Sequence, residues 1–238
     1  MRWIVGLQPV REAIRARGKN LPRVMVEASS SPQLEALARF AKDQGANVVR
    51  VQRAELDKVA KGAKHQGVAA LAEELAIVEL AEMTVDEKTM IVALDEIQDP
   101  QNFGAIVRSS VAFGASAIVW PESHSAPLTS AMFRASAGAV EHATLCRVPA
   151  LPQALAELKE KGVLTVGLDP QAQVDIGNID LKKPVALVVG AEGKGLRRNV
   201  KAACETIARL PMTNRLGSLN ASVSAAIALY ETARQRRT

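Results

Sequence analysis

Residues 91–120, IVALDEIQDPQNFGAIVRSSVAFGASAIVW, decide the fold. They read as an apolar run over 91–94, a polar loop, a helical pattern over 105–113 and a second apolar run over 117–120. Short apolar runs without polar alternation belong to strands buried on both faces, and a helix between two of them is the crossover of a parallel pair. Downstream the alternation continues, with strand-like runs at 163–168, 185–189 and 206–210 and helical patterns at 152–161 and 220–236. This predicts an α/β domain, a mostly parallel sheet covered by helices on both faces.

Upstream, runs at 24–26, 48–51 and 68–71 alternate with helical patterns at 9–17 and 32–44, predicting a small α/β unit over residues 1–75. Between 76 and 88 the chain turns acidic and loses periodicity, which reads as a linker, so the second domain covers 89–238. Residues 1–75 carry 13 Lys/Arg against 8 Asp/Glu, and the first unit is therefore the more basic, consistent either with a solvated surface or with a face for phosphates. Aromatic residues are only 3% of the chain, which disfavours a base-stacking platform. No run reaches the ~20 apolar residues of a membrane span, and residues 1–4 (MRWI) begin no signal-peptide block, so no membrane association and a cytoplasmic location are expected. Cys146 and Cys204 form no C-x-x-C pair and read as core residues.

In a parallel sheet, ligands lie beyond the carboxyl ends of the strands, so the loops there are the first place to look. Three stand out: 95–104, followed by a helix carrying Arg108; 190–196, with glycines at 190, 193 and 195; and 211–220, which opens the last helix. The glycine order lacks both the dinucleotide fingerprint and the Lys-Ser/Thr ending of a phosphate loop, so a Rossmann oxidoreductase or nucleotidase is disfavoured. Glycines there serve close approach to a ligand or simply a turn. Arg108 shares its predicted helix face with Ala105, Val111 and Ala112 and either finds a partner or snorkels to water. Asn102 is equally readable as a helix cap. His65, His124 and His142 are dispersed and form no catalytic or metal-binding pattern, so no metal is expected. The small residues of the last helix, among them Ala221, Ser222, Ala225 and Ala228, suit close packing in a core or against another subunit.

Taken together the three loops resemble the signature motifs of the SpoU/TrmH ribose methyltransferases, a branch of the SPOUT class. The first is D-P-x-N-x-G-x-x-x-R from Asp99 to Arg108; the second is the apolar strand ending in Gly190-Ala191-Glu192-Gly193; the third is Pro211-Met212 with Ser218-Leu219-Asn220. Gly6, the helix after it and the segment His65-Gln66-Gly67-Val68 resemble the substrate-binding domain of family members that modify a guanosine of 23S rRNA. The resemblance thus spans nearly the whole chain. It implies a C-terminal SPOUT domain with a deep trefoil knot, a homodimer whose active site is completed across the subunit interface, and S-adenosyl-L-methionine as cofactor. Gly190, Leu210, Leu219, Leu168 and Met212 would hold the cofactor, and Arg108, Asn102, Glu192, Ser218 and Asn220 would line the reaction centre. A tRNA substrate, or a non-catalytic RNA-binding factor with this fold, are the competing readings. Asn214 stands where many relatives have glycine, which bears on cofactor affinity.

The difficult step in such a reaction is loss of the ribose hydroxyl proton. Making a guanidinium a literal base means moving it from a pKa above about 12.5 to neutrality near pH 7, roughly 7 kcal/mol. The favoured role for Arg108 is therefore that of a fixed cation gripping phosphate and stabilising negative charge on the 2'-oxygen, with Glu192 positioning Arg108 or the second loop.

Overall fold

The computed structural model describes every residue except Ser30, His124, Pro127, Asn214, Leu216 and Thr238. Two compact units emerge: Met1–Leu75 with Ala137–His142, and Ala76–Ser136 with Ala143–Thr238.

The first unit runs β1 (Arg2–Val5), α1 (Leu7–Arg17), β2 (Arg23–Glu27), α2 (Pro32–Asp43), β3 (Val48–Val51), α3 (Arg53–Ala60) and β4 (Val68–Ala72). Its sheet has the order β1-β4-β2-β3, with β4 antiparallel to both neighbours and β2 parallel to β3. Helices α1 and α2 bury one stripe each, Val10, Ala13 and Ile14 on the first and Leu34, Leu37, Ala38 and Ala41 on the second, and the two stripes form one core with Val24, Val26 and Val68. Residues 137–142 complete this unit: the carboxylate of Glu141, with its side chain only 1% exposed, accepts from Arg2 at 2.6 Å and from Arg17 at 2.8 Å. Nothing in the sequence pattern announced that excursion. His65 is held by Asp57 at 3.0 Å and accepts from the Gly67 backbone N–H, and His142 pairs with Glu12; His124 lies outside the described residues.

The second unit runs β5 (Ile77–Val78), β6 (Met90–Asp95), α4 (Pro100–Ala112), β7 (Ala117–Pro121), α5 (Ser130–Ala135), β8 (Leu145–Val148), α6 (Leu151–Glu160), β9 (Leu164–Leu168), β10 (Val174–Asp175), β11 (Val185–Gly190), α7 (Arg198–Ala203), β12 (Thr206–Arg209) and α8 (Ala221–Gln235). The sheet order is β10-β12-β9-β11-β6-β7-β8-β5, and every adjacent pair is parallel. All residues of β6 and β7 are buried, as a strand covered on both faces requires. Helix α4 is fastened to the sheet by Phe103, whose ring meets Trp120 edge to face at 5.4 Å. No described helix is long and apolar enough to cross a membrane.

Two expectations change here. Residues 76–88 are not a bare linker: Ile77 and Val78 form β5 at the sheet edge against Leu145 and Cys146, and Leu80 is buried in the core beneath it. Helix α4 starts at Pro100 rather than 105, because Asp99 accepts from the backbone N–H groups of Gln101 and Asn102 and Pro100 sets the first turn. Asp99 is thus the cap, and Asn102 sits inside the first turn with its side chain free for other work.

Candidate active site

Four neighbouring strands, β12-β9-β11-β6, end on the same side of the sheet, and their register sets what lies beside what. Gly190 at the end of β11 is the partner of Asp95 at the end of β6, and Leu168 at the end of β9 is the partner of Ala208 on β12. The loops after β6, β9, β11 and β12 therefore leave side by side, as ligand-binding loops do in parallel sheets. A cavity of about 310 Å3 opens among the loops after β9, β11 and β12, at the lower end of the ~300–1,000 Å3 usual for small-molecule sites. Leu168, Gly190, Leu210, Met212 and Leu219, the residues expected at the cofactor, all line it, and so does Ser218.

Gly190 is there for close approach. A Cβ at this position would lie 2.2 Å from the Gly195 carbonyl carbon and 2.5 Å from the Leu196 nitrogen, because the loop turns back on itself and bridges Ala191 to Gly195. Gly190→Ala is therefore expected to destabilise the second unit by about 1–3 kcal/mol and to abolish measurable cofactor binding; thermal unfolding and calorimetry with S-adenosylmethionine check both. Gly104 plays a related part, since its Cβ would fall 2.5 Å from the Met132 carbonyl oxygen where α4 crosses α5.

The three loops meet in one hydrogen-bonded cluster. Asn220 caps α8: its Oδ1 accepts from the backbone N–H groups of Ser222 (2.9 Å) and Val223 (3.3 Å). That fixes its amide, so Nδ2 donates to Asn102 Oδ1 at 2.9 Å and to Glu192 Oε2 at 3.3 Å. Asn102 in turn donates from Nδ2 to the same Glu192 oxygen at 3.2 Å. Each donor and acceptor role follows from the one before it, starting at the helix cap, and leaves Glu192 as a pure acceptor. Glu192 also lies in the wall between the large cavity and a second one of about 210 Å3, which Asn102, Gln98 and Asp99 help to line.

Arg108 is placed differently from the expectation. It is exposed on α4, forms no hydrogen bond or ion pair among the described residues, and lines neither cavity. Its neighbours on that face, Ala105 and Ala112, are half-buried and exposed, so no apolar surface forces the guanidinium into a partnership. Within the chain, among the described residues, Glu192 bonds to Asn102 and Asn220. Ser218 is exposed at the cavity rim, apart from the cluster, and Asn214 lies outside the described residues.

Sequence reasoning missed the brace beneath the site. Asp95, with no exposed surface, receives the backbone N–H of Arg197 at 2.8 Å and its guanidinium at 2.7 Å, and the same guanidinium reaches Glu96 at 3.2 Å. This ties the loop after β6 to the loop after β11. The only available signal was an acidic residue ending an apolar strand. On the cavity's other side Asp169 pairs with Lys201; burial works against its charge, but Lys201 and the backbone N–H of Gln171 outweigh it and hold the carboxyl below the ordinary carboxylate range. Burial pushes the Cys204 thiol up to about 12 and the Cys146 thiol to about 11, so neither is a nucleophile near neutral pH.

Two family models match the chain: the SpoU rRNA methylase family over residues 89–230 and the RNA 2'-O ribose methyltransferase substrate-binding domain over residues 3–78. The chain is 38% identical to an uncharacterized tRNA/rRNA methyltransferase of Mycolicibacterium gilvum, over 98% of this chain and 76% of that protein. It is 35% identical to the 23S rRNA (guanosine-2'-O-)-methyltransferase RlmB of Xanthomonas campestris, over 98% of this chain and 96% of that one. Among solved structures, an AdoMet-bound rRNA methyltransferase from Sinorhizobium meliloti superposes with a TM-score of 0.77 at 26% identity, covering 98% of this chain and 87% of the other. With these matches falling on the loops that build the cavity and the Asn102–Glu192–Asn220 cluster, the chain belongs to the SpoU rRNA methylase family.

Proposed function

We propose that the protein transfers the methyl group of S-adenosylmethionine to the 2'-hydroxyl of a guanosine in 23S rRNA, working as a homodimer in the cytoplasm. The observation that carries this reading is the convergence of Asn102, Glu192 and Asn220, from the start of α4, the loop after β11 and the cap of α8, in one hydrogen-bonded cluster whose Glu192 lines a cavity suited to the cofactor. Its lining fits the group: Leu168, Val189, Leu210 and Leu219 offer apolar surface for an adenine ring, and the backbone exposed at Gly190 and Gly193 offers close polar contacts. When bound, S-adenosylmethionine supplies an already electrophilic methyl group. The chain's task is the acceptor: Asn102 and Asn220 hold the Glu192 carboxylate in one place and present a polar wall that orients the ribose, while Arg108 stays charged and stabilises the developing alkoxide.

Guanosine in 23S rRNA is favoured because RlmB of Xanthomonas campestris, named for that reaction, matches along nearly its whole length, first unit included. We assign residues 1–75 to RNA binding and 89–238 to methyl transfer; the RNA substrate-binding model on residues 3–78 supports the first. The dimer reading rests on α8, where Val223, Ile227 and Tyr230 are exposed at helical spacing, and on Arg108, an exposed cation without a partner among the described residues. Phe113 at the end of α4 stacks edge to face on Tyr230 at 6.2 Å, so the Arg108 helix and the apolar stripe adjoin. The family's trefoil knot is part of this proposal, supported by the match of the SpoU rRNA methylase family over residues 89–230.

Incubation with methyl-labelled cofactor and separated rRNA and tRNA pools tests the reading. Label is expected at a ribose of 23S rRNA. Label in tRNA alone would move the substrate, and absence of cofactor binding by calorimetry would leave a non-catalytic RNA-binding protein.

A further inference from the structure

Lys194 occupies a position that neither the motifs nor the cluster explain. It lies between Gly193 and Gly195, both at positive φ (77° and 66°), in a stretch where neither glycine has a neighbour within 4 Å of a would-be Cβ. The lysine therefore rides on an open turn. It is exposed, has no hydrogen bond or ion pair among the described residues, and with Ala191 and Glu192 is common to the linings of both cavities. Among the described residues, no other basic side chain lines either one.

The surrounding charges give this lysine a task. Glu96 is answered by Arg197 and Asp169 by Lys201, whereas among the described residues Glu192 and Asp99 bond only to amide side chains or backbone N–H groups. An acidic wall suits a sulfonium cation but repels the phosphodiester backbone of an incoming RNA. A ribose can reach the Asn102–Glu192 cluster only if its flanking phosphate is tolerated at the cavity mouth. Building on the methyltransferase reading above, we propose that the Lys194 ammonium holds the phosphate beside the acceptor ribose, offsetting Glu192 and Asp99 and positioning the RNA strand over the smaller cavity. The contact is with backbone alone, so it contributes affinity and register without reading the base.

The test compares wild type, Lys194→Ala and Lys194→Arg for binding to a labelled 23S rRNA transcript across a salt series. Binding of S-adenosylmethionine is measured in parallel without RNA. Loss of one phosphate contact should make Lys194→Ala roughly five- to eightfold weaker near about 0.1 M salt and flatten the slope of log affinity against log salt by about 1. Lys194→Arg should keep the wild-type slope, and cofactor affinity should stay constant across the three. An unchanged RNA slope in Lys194→Ala overturns the proposal. So does a fall in cofactor affinity with RNA binding intact, which would assign the ammonium to the cofactor's carboxylate. A wild-type protein that binds RNA but transfers no methyl group overturns the catalytic reading alone, because the slope comparison still reports on Lys194.

Discussion

Arg108→Ala is expected to lower methyl transfer by about 10²–10³-fold, the usual loss when one fixed donor to a developing oxyanion is removed, with cofactor affinity unchanged because Arg108 lines no part of the cofactor cavity. Arg108→Lys keeps the charge but not the planar fork and should recover only part of the rate; near-normal turnover would show that the forked grip is not needed. Mixed dimers decide where the guanidinium acts. If Arg108 serves the partner subunit, co-expressed Arg108→Ala and Asn102→Ala chains, each inactive alone, form hybrids with one intact site, restoring about a quarter of all sites in a two-fold symmetric dimer. If Arg108 serves its own chain, every hybrid site lacks one group and nothing is restored. That second outcome, in a preparation shown to contain hybrids, would remove the shared-site proposal.

Arg197→Ala should have the largest effect on stability. Asp95 has no exposed surface, and without the guanidinium it keeps only the Arg197 backbone N–H as an observed partner, so a buried charge is left under-compensated. Breaking such a pair costs about 3–5 kcal/mol, which for a chain of this size lowers the melting temperature by roughly 10 °C. Adding Asp95→Asn should return part of the loss by removing the stranded charge. A melting temperature within about a degree of wild type for the single variant would mean that the pair contributes little net stability, as exposed pairs do. The exposure of Arg197, about a third of its side chain, makes that comparison informative.

The elements that the sequence shows clearly are those with one strong signal. Fully apolar runs gave β6, β7 and β11, and the stripes of α2 and α6 follow helical spacing. The elements it hides carry diluted signals: β8 holds the exposed Arg147 among apolar residues, α3 buries only Leu56 and Ala60 of its eight residues, and β1 is a mostly half-buried edge strand.

By itself the sequence determined the fully apolar strands and the striped helices, because burial on one or two faces imposes a period on local composition, and it put Asn102, Glu192 and Asn220 beyond the ends of three of those strands. Only the tertiary structure decided that these side chains share one hydrogen-bonded cluster, that Asp95 meets Arg197 across 102 positions, and that Arg108 lines neither cavity. The reason is physical: periodicity records whether a residue is covered, whereas the partner that covers it is set by strand register and by the turn each loop takes after its strand ends.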